Sequence, residues 1–356
     1  MRGLPGPSRT ARVGRVTMMT TSTPASAPSP APTSGSGRRA AIVYNPIKVD
    51  LPSLRTKVAH AAGAAGWQET LWFETSEDDP GKGAAEEALS HDVDMVIAAG
   101  GDGTVRAVAE GMSGSGVSLG LLPSGTGNLL ARNLKLTLND VEHSLEAAFS
   151  GHDRTVDLAS IEILREDESR DKHVFVVMAG VGIDAKMLAN TDSELKKRVG
   201  WLAYVDAIFK ALRDRDQLRL RYRIDGRSVH RRRAHTLIVG NCGSLPANIL
   251  LLPDAAVDDG ILDVVLMRPE GLFGWIQIWV KVAWENGVVR RTAAGRRLMG
   301  PEKEVRALEY RTAEEVVVRL EKEEDIELDG DPFGRAIGFK IQVLPGGLTV
   351  RVPQDS

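Results

Sequence analysis

The stretch AAGGDGTVRAVAEGM, residues 98–112, constrains the possible folds more than any other part of this chain. Before it, Val93 to Ala99 is a short, mostly apolar run of the kind that forms a strand buried on both faces. After it, Val105, Val108, Ala109 and Met112 recur at helical spacing. The glycines, aspartate and threonine between them therefore stand at a strand-to-helix corner. Glycines there let the backbone approach a ligand, and the first free N–H groups of the helix point outward, an arrangement that suits phosphate. A single glycine-rich corner is equally a tight turn, so its neighbours must decide.

Those neighbours repeat the pattern. From Arg38 to about Val156, strand-like runs (40–44, 69–73, 117–122) alternate with helical ones (51–65, 81–89, one starting near Gly127, and one with Val141, Leu145, Ala148 and Phe149 on a single face). Alternation of this kind predicts right-handed crossovers and a parallel sheet covered on both sides, with ligands bound beyond the carboxyl ends of the strands. Four polar loops stand at those ends, placed by the topology on one rim. They hold Asn45, Pro46 and Lys48; Thr75; Gly100, Gly101, Asp102, Gly103 and Thr104; and Ser124, Gly125, Thr126 and Asn128. From Asp157 onward the texture changes to runs alternating apolar and polar residues, which predicts antiparallel strands in a β-sandwich, with helices near 195–212 and 272–285 interrupting it. The expected domains are thus 38–156 and 157–356. Residues 1–37, rich in Ser, Thr, Pro and Ala, are expected to be a disordered arm.

Composition narrows the partners. A formal charge of −3 and a pI near 6.2 argue against a nucleic-acid binder. One cysteine, Cys242, excludes an intramolecular disulfide and a cysteine-based zinc site, so a reducing, cytoplasmic setting is expected. No run approaches the roughly 20 apolar residues of a membrane span, and the arm holds no signal-peptide core.

The ordered motifs GGDGT (100–104), PSGTGNLLARNL (123–134), AGVGIDA (179–185), LPDAAVDDGILDVVLM (252–267) and ELDGDPFG (327–334) together resemble the diacylglycerol kinase catalytic-domain family of lipid kinases. The resemblance covers about residues 40–352. It implies an α/β nucleotide-binding domain of the phosphofructokinase and NAD kinase kind joined to an antiparallel β-sandwich, with the active site between them. It also implies ATP, magnesium and transfer of the γ-phosphoryl group to the hydroxyl of diacylglycerol or a similar lipid alcohol. By the same resemblance, Asn45, Thr75, Gly100, Gly101, Asp102, Gly103, Thr104 and Thr126 fall on nucleotide-contacting positions. Asp102 falls on the aspartate associated with magnesium and phosphate, Asp331 on the general base, and Asp157 on the acidic residue that orients it. Asp259, with the carbonyls of Ala256 and Ile261, matches a second magnesium site. Asp102 is the rival for the role of base. These assignments agree with the needs of phosphoryl transfer: held phosphates, a divalent ion bound by oxygen, and a carboxylate within reach of the attacking hydroxyl.

The chain departs from the family pattern in places. Lys48 and Val49 follow Asn45-Pro46-Ile47 where Asn-Pro-x-x-Gly is usual, and Lys48 offers charge instead. Arg106 replaces a common Asn, offering either a phosphate contact or a salt bridge. Pro246-Ala247-Asn248 stands where a glycine pair is usual, which leaves open a sphingoid or ceramide-type acceptor; the altered first loop leaves open a catalytically weak binding regulator. Two stretches suit a membrane surface as well as a core or a solvated face: the tryptophan-rich run 272–287, and the arginine-rich segment 213–233, where Arg219, Arg221 and Arg223 share one face of a strand. The expected partners are a lipid substrate at a membrane surface, through peripheral association, and a second copy of the chain as a homodimer.

Overall fold

The computed structural model describes residues 37–125, 127–138, 140–182, 217–245, 249–269, 274, 277, 278, 281 and 307–354. The helices expected near 195–212 and 272–285 therefore lie wholly or largely outside the described residues, as do Thr126, Pro246 to Asn248 and the 1–36 arm. The described residues all belong to one unit, 37–356.

The first part is a parallel sheet. Its strands are β1 (Ala40–Tyr44), β2 (Leu71–Glu74), β3 (Met95–Gly100) and β4 (Ser118–Pro123), and its helices are α1 (Leu51–Ala64), α2 (Lys82–Leu89), α3 (Asp102–Met112), α4 (Leu129–Asn133) and α5 (Val141–Ser150). The order β4-β3-β1-β2 is parallel throughout. Every residue of β1 is buried, with alternate residues serving opposite faces: Ile42 and Tyr44 pack with Leu54, Val58 and Phe149 of α1 and α5, while Ala41 and Val43 pack with Ala85, Val108 and Met112 of α2 and α3. Two of the helices are started by the side chain of their own N-cap residue. Asp50 caps α1 through its carboxylate to the Ser53 amide, and Asp140 caps α5 through the His143 amide. The helix expected from Gly127 forms only over Leu129–Asn133, because Asn128 is in the left-handed region (φ 48°) and cannot join it.

The second part is antiparallel. Its strands are β5 (His152–Leu164), β6 (Arg170–Phe175), β7 (Met178–Val181), β8 (Leu218–Ile224), β9 (His230–Ala234), β10 (Thr236–Gly240), the short pair β11 (Ser244–Leu245) and β12 (Ile249–Leu250), β13 (Leu262–Met267), β14 (Leu308–Ala313), β15 (Glu315–Leu328) and β16 (Asp331–Val352). Strand β15 joins two leaves: its first half pairs with β8, its register shifts between Arg319 and Glu327, and its last residues pair with β7. Alternate residues of both leaves, among them Ile161, Tyr222, Val239, Val264, Val318 and Phe339, share one core, which makes this part a sandwich.

Strand β16 connects the two parts. Its 22 residues run beside β15, then along β5, and at Thr349 and Val350 lie parallel to Ser118 and Leu119 of β4. The parallel and antiparallel halves are therefore one continuous sheet of fourteen strands among the described residues.

Candidate functional site

Main-chain hydrogen bonds stitch the four polar corners into one rim. The Thr75 amide donates to Tyr44 O, the Asn45 amide to Ala99 O and the Ser124 amide to Gly100 O, at 2.9–3.0 Å. Asn45 then turns the chain by accepting from the Ile47 amide, leaving Pro46 and Lys48 exposed, while Thr75 is buried. A cleft of about 600 Å³ opens at this rim, lined by polar residues such as Lys48, Ser53, Lys57 and Ser124 and by apolar ones such as Leu54 and Leu122.

The glycines of the central corner answer to different constraints. Gly100 ends β3, and a β-carbon there would strike the side chain of the buried Thr104 at 2.6 Å. Gly101 is the N-cap of α3, where its carbonyl accepts from the Val105 amide at 3.0 Å. Its φ of −90° suits any residue, and a β-carbon on it would meet nothing within 4 Å. Neither dihedral nor internal packing therefore demands glycine at Gly101. What its missing side chain leaves is open space in front of the helix start, the room a ligand needs to approach the main chain. On the neighbouring loop, a β-carbon on Gly125 would come 3.2 Å from Gly101 Cα, so the two corners lie backbone to backbone.

Two carboxylates face this rim, each over a glycine. Asp102 opens α3, yet its carboxylate caps a different helix: Oδ2 accepts from the Asn128 amide at 2.9 Å and Oδ1 from the Leu129 amide at 2.6 Å. The loop 123–128 is thereby clamped onto the glycine corner. A β-carbon on Gly127 would sit 2.1 Å from Asp102 Oδ2, and one on Gly103 would sit 2.5 Å from Asp331 Oδ2. Burial raises the Asp102 carboxyl above its ordinary pKa against the pull of the two amides, and the nearby charge of Asp331 adds to the rise. Asn128 completes the clamp by donating from Nδ2 to Gly125 O at 2.6 Å. Replacing Gly127 with Ala is expected to break this clamp. Melting should fall by an amount equivalent to about 1–2 kcal/mol, the usual cost of a lost helix cap, with turnover falling alongside; an unchanged melting curve and rate would count against the clamp.

Asp331 is delivered by a tight hairpin. Asp329 and Gly330 have φ of 52° and 90°, the two-residue turn that joins β15 to β16. Burial raises the Asp331 carboxyl as well, while Arg106 opposes the rise. Arg106 is buried on α3, with Nε 3.8 Å from Asp331 Oδ2, an ion pair to Glu110 at 3.2 Å, and its guanidinium 4.5 Å from the Phe333 ring centroid. Of the two roles open to Arg106, its geometry is that of the salt bridge. Against the cost of burial, His173 and Lys82 hold the Glu110 carboxyl down to about 2. The cluster thus ties α2 and α3 of the parallel half to β6 and β16 of the sandwich.

The residue that fixes this hairpin escaped sequence reasoning. Asp329 is 4% exposed, and its carboxylate accepts from three successive amides, Val176, Val177 and Met178, at 2.8–2.9 Å. That convergence separates β6 from β7, because N–H groups of a pleated strand alternate in direction and cannot all reach one carboxylate. Burial pushes the Asp329 carboxyl up to about 6 despite those donors. The available signal was the Asp-Gly turn itself.

Asp157 lies elsewhere in the same network. Its two carboxylate oxygens accept from the Gly260 amide at 2.6 Å and the Gly346 amide at 2.7 Å, and its amide donates to Val257 O. It makes no hydrogen bond to Asp331 in this arrangement. Its link to the hairpin runs through Asn241, whose Nδ2 donates both to Asp157 O and to Val176 O. The loop 256–261 that Asp157 grips carries Ala256, Asp259 and Ile261. Beside it, burial together with Asp259 and Asp254 pushes the Asp263 carboxyl up to about 6. Among the described residues no three His, Cys, Asp or Glu side chains converge as a metal cage. The chemistry of the loop nonetheless suits a hard dication: the Asp259 carboxylate is an oxygen donor, and Asp254 and Asp259 add negative charge to the burial that raises Asp263.

Known proteins match both halves. A family model described as the diacylglycerol kinase catalytic domain covers residues 39–161, and one described as the YegS C-terminal NAD kinase beta sandwich-like domain covers residues 176–352. Diacylglycerol kinases of Staphylococcus aureus, from strains JH9 and Newman among others, are 30% identical over 243 residues, 66% of this chain and 72% of theirs. A crystal structure of a diacylglycerol kinase from Bacillus anthracis str. Sterne superposes with a TM-score of 0.62 at 20% identity, over 89% of this chain and 97% of that one, a likeness of fold. With both halves matched in order and a relative at this identity, the chain belongs to the diacylglycerol kinase family and is a lipid kinase of that kind.

Proposed function

We propose that this enzyme transfers the γ-phosphoryl group of ATP to the free hydroxyl of diacylglycerol, giving phosphatidate and ADP. The observation that carries this reading is the placement of two carboxylates, Asp102 and Asp331, at one glycine-lined helix start, one clamped to a neighbouring loop and the other delivered from the opposite half of the molecule. Residues 38–156 hold the nucleotide and residues 157–356 present the lipid. The amides of the corner from Gly100 through Gly101 to Thr104 and the loop from Ser124 to Asn128 hold phosphate, with Asn45, Thr75 and the exposed Lys48 on the same rim. Asp331 takes the proton from the lipid hydroxyl, whose oxygen forms the new P–O bond as the bond to the leaving ADP oxygen breaks. Arg106 keeps the Asp331 carboxylate oriented and ionised. Asp157 supports the hairpin from behind, through Asn241.

Magnesium would be held by Asp102 near the phosphates and by Asp259 with the Ala256 and Ile261 carbonyls at the loop site, offsetting phosphate charge in the first place and stiffening the loop in the second. The lipid is met at a membrane surface through peripheral association with the cytoplasmic face. That none of the described helices is long and apolar enough to cross a membrane is compatible with this. Most of the tryptophan-rich run lies outside the described residues, and its Ile278 is buried.

The test is an acceptor panel. With labelled ATP and mixed micelles, diacylglycerol is expected to become labelled as phosphatidate, and ceramide or a sphingoid base is not. Label appearing only in the latter two would transfer the assignment to a sphingolipid acceptor, and tight ATP binding with no labelled lipid at all would replace the enzyme by a binding protein.

A further inference from the structure

One face of the sandwich carries a charge arrangement that the transfer reaction does not use. Strands β9, β8 and β15 lie side by side, and their register sets Arg233 opposite Arg219, Arg231 opposite Arg221, and Arg221 opposite Arg319. All five are exposed, as is Arg223 on the same face of β8. Like charges directly across a ladder repel, and sheets ordinarily avoid them. Local compensation is thin. Glu321 reaches Arg219 at 3.5 Å with both side chains more than half exposed, a pairing of little worth, while Glu309 is engaged with Arg232, Arg268 and Arg311 instead. Arg221, Arg231, Arg233 and Arg319 make no ion pair within the described residues. These strands floor a groove of about 820 Å³, to which Arg232 and Arg268 also contribute.

None of the three long stretches outside the described residues is acidic on balance. The stretches 183–216 and 270–306, which adjoin the groove in sequence, carry no excess of acidic over basic residues, and 1–36 has basic residues with no acidic ones. A second copy of the same face would only add repulsion. The charge therefore calls for an external anion, and its form says which kind. The arginines are spread in rows across three strands rather than converging on one point, at the roughly 5 Å strand spacing and 7 Å same-face spacing of a sheet, so they present a tiled surface. Among the described residues β9 is paired on one side only, so there the array reaches the edge of the sheet. At its end the hairpin tip exposes Val229, which is 60% accessible, beside the charges. A basic array ending in an exposed aliphatic residue suits a headgroup layer with acyl chains beneath it.

We propose that the β8–β9–β15 arginine face is the surface by which this protein docks on bilayers containing anionic phospholipid. The choice of a bilayer as partner rests on the lipid-kinase reading; the need for an anion does not.

The test is sedimentation of the full chain with vesicles free of diacylglycerol and of ATP, made of phosphatidylcholine alone or with about one third phosphatidylglycerol. Binding is expected to the anionic vesicles only, and to weaken steeply with salt. A variant carrying Arg219→Ser, Arg221→Ser, Arg231→Ser and Arg233→Ser is expected to lose at least about tenfold in vesicle affinity, since each cation near an anionic surface contributes separately. The same four positions changed to Lys should retain most of the binding, which guards against a variant that fails to fold. Because repelling pairs are removed, the Ser variant should melt no lower than the parent. Its turnover of a short-chain, water-soluble diacylglycerol should be unaltered, while turnover on anionic vesicles falls. Vesicle binding unchanged in the Ser variant, or equal binding to neutral vesicles, would overturn the proposal. So would a Ser-sensitive affinity for soluble polyphosphate with none for vesicles. Absence of any kinase activity alongside intact, arginine-dependent vesicle binding would instead strike at the enzymatic reading and leave this face as assigned.

Discussion

Changing Asp331 to Asn is expected to lower kcat by about 10²–10⁴-fold, the range lost when a positioned general base is removed, with ATP binding and the melting curve close to those of the parent. Asn keeps the shape over Gly103 but cannot take a proton. The pH profile adds a second readout. Burial raises the Asp331 carboxyl and Arg106 restrains the rise, so the limb on which kcat/KM increases with pH should lie above the ordinary carboxylate range. Arg106→Gln removes the restraint and should move that limb to still higher pH. If Asp331→Asn retains full turnover, the proton is taken elsewhere, and Asp102 becomes the residue to test.

The second large effect concerns stability. Asp329→Ala leaves three buried amides without their acceptor, and at about 1–3 kcal/mol for each unsatisfied group the loss should reach at least about 3 kcal/mol, read as a drop in the denaturant midpoint. Asp329→Asn is a milder version of the same injury. One side-chain oxygen can still accept from Val177 and Met178, but its NH₂ would meet the Val176 N–H donor to donor. Activity should fall in both variants below the melting temperature, since the hairpin that sets Asp331 over Gly103 is loosened. A stability equal to the parent's would mean that β6 and β7 are held by the sheet alone.

The parallel half was legible because its periodicities are clean: AAIVY is β1 residue for residue, and the polar loops fell where strand ends had to be. Misreadings had local causes. Lys322 to Asp325 carries no apolar residue to show a period, yet β15 passes through it with its register shifted. Strands β9 and β14, HRRRA and LEYRTA, carry too few apolar residues to show a period and are held by their neighbours. At the candidate site, residue types were readable and partnerships were not. The glycines of the corner look alike in sequence, yet Gly100 is forced by Thr104 and Gly103 by Asp331, while Gly101 faces open space. Asp102 reads as an ion and phosphate ligand; that its carboxylate clasps the Asn128 and Leu129 amides depends on how the next loop folds against it. Asp329 stood two residues from the expected base, and only tertiary structure reveals that it is the buried one. Arg106 was ambiguous until Glu110 and Phe333 were placed on either side of it.

The long strand from Asp331 to Val352 ties chemistry to architecture. Because it carries the candidate base at one end and completes the nucleotide-side sheet at the other, the two halves are not separable parts. Cutting the chain after the first half would leave β4 with a bare, largely apolar margin open to pairing with stray strands. Its pairing with β5 lapses at Pro345-Gly346-Gly347, and there the Asp157 carboxylate holds the Gly346 amide, so a side chain of β5 pins the ribbon where its ladder is interrupted.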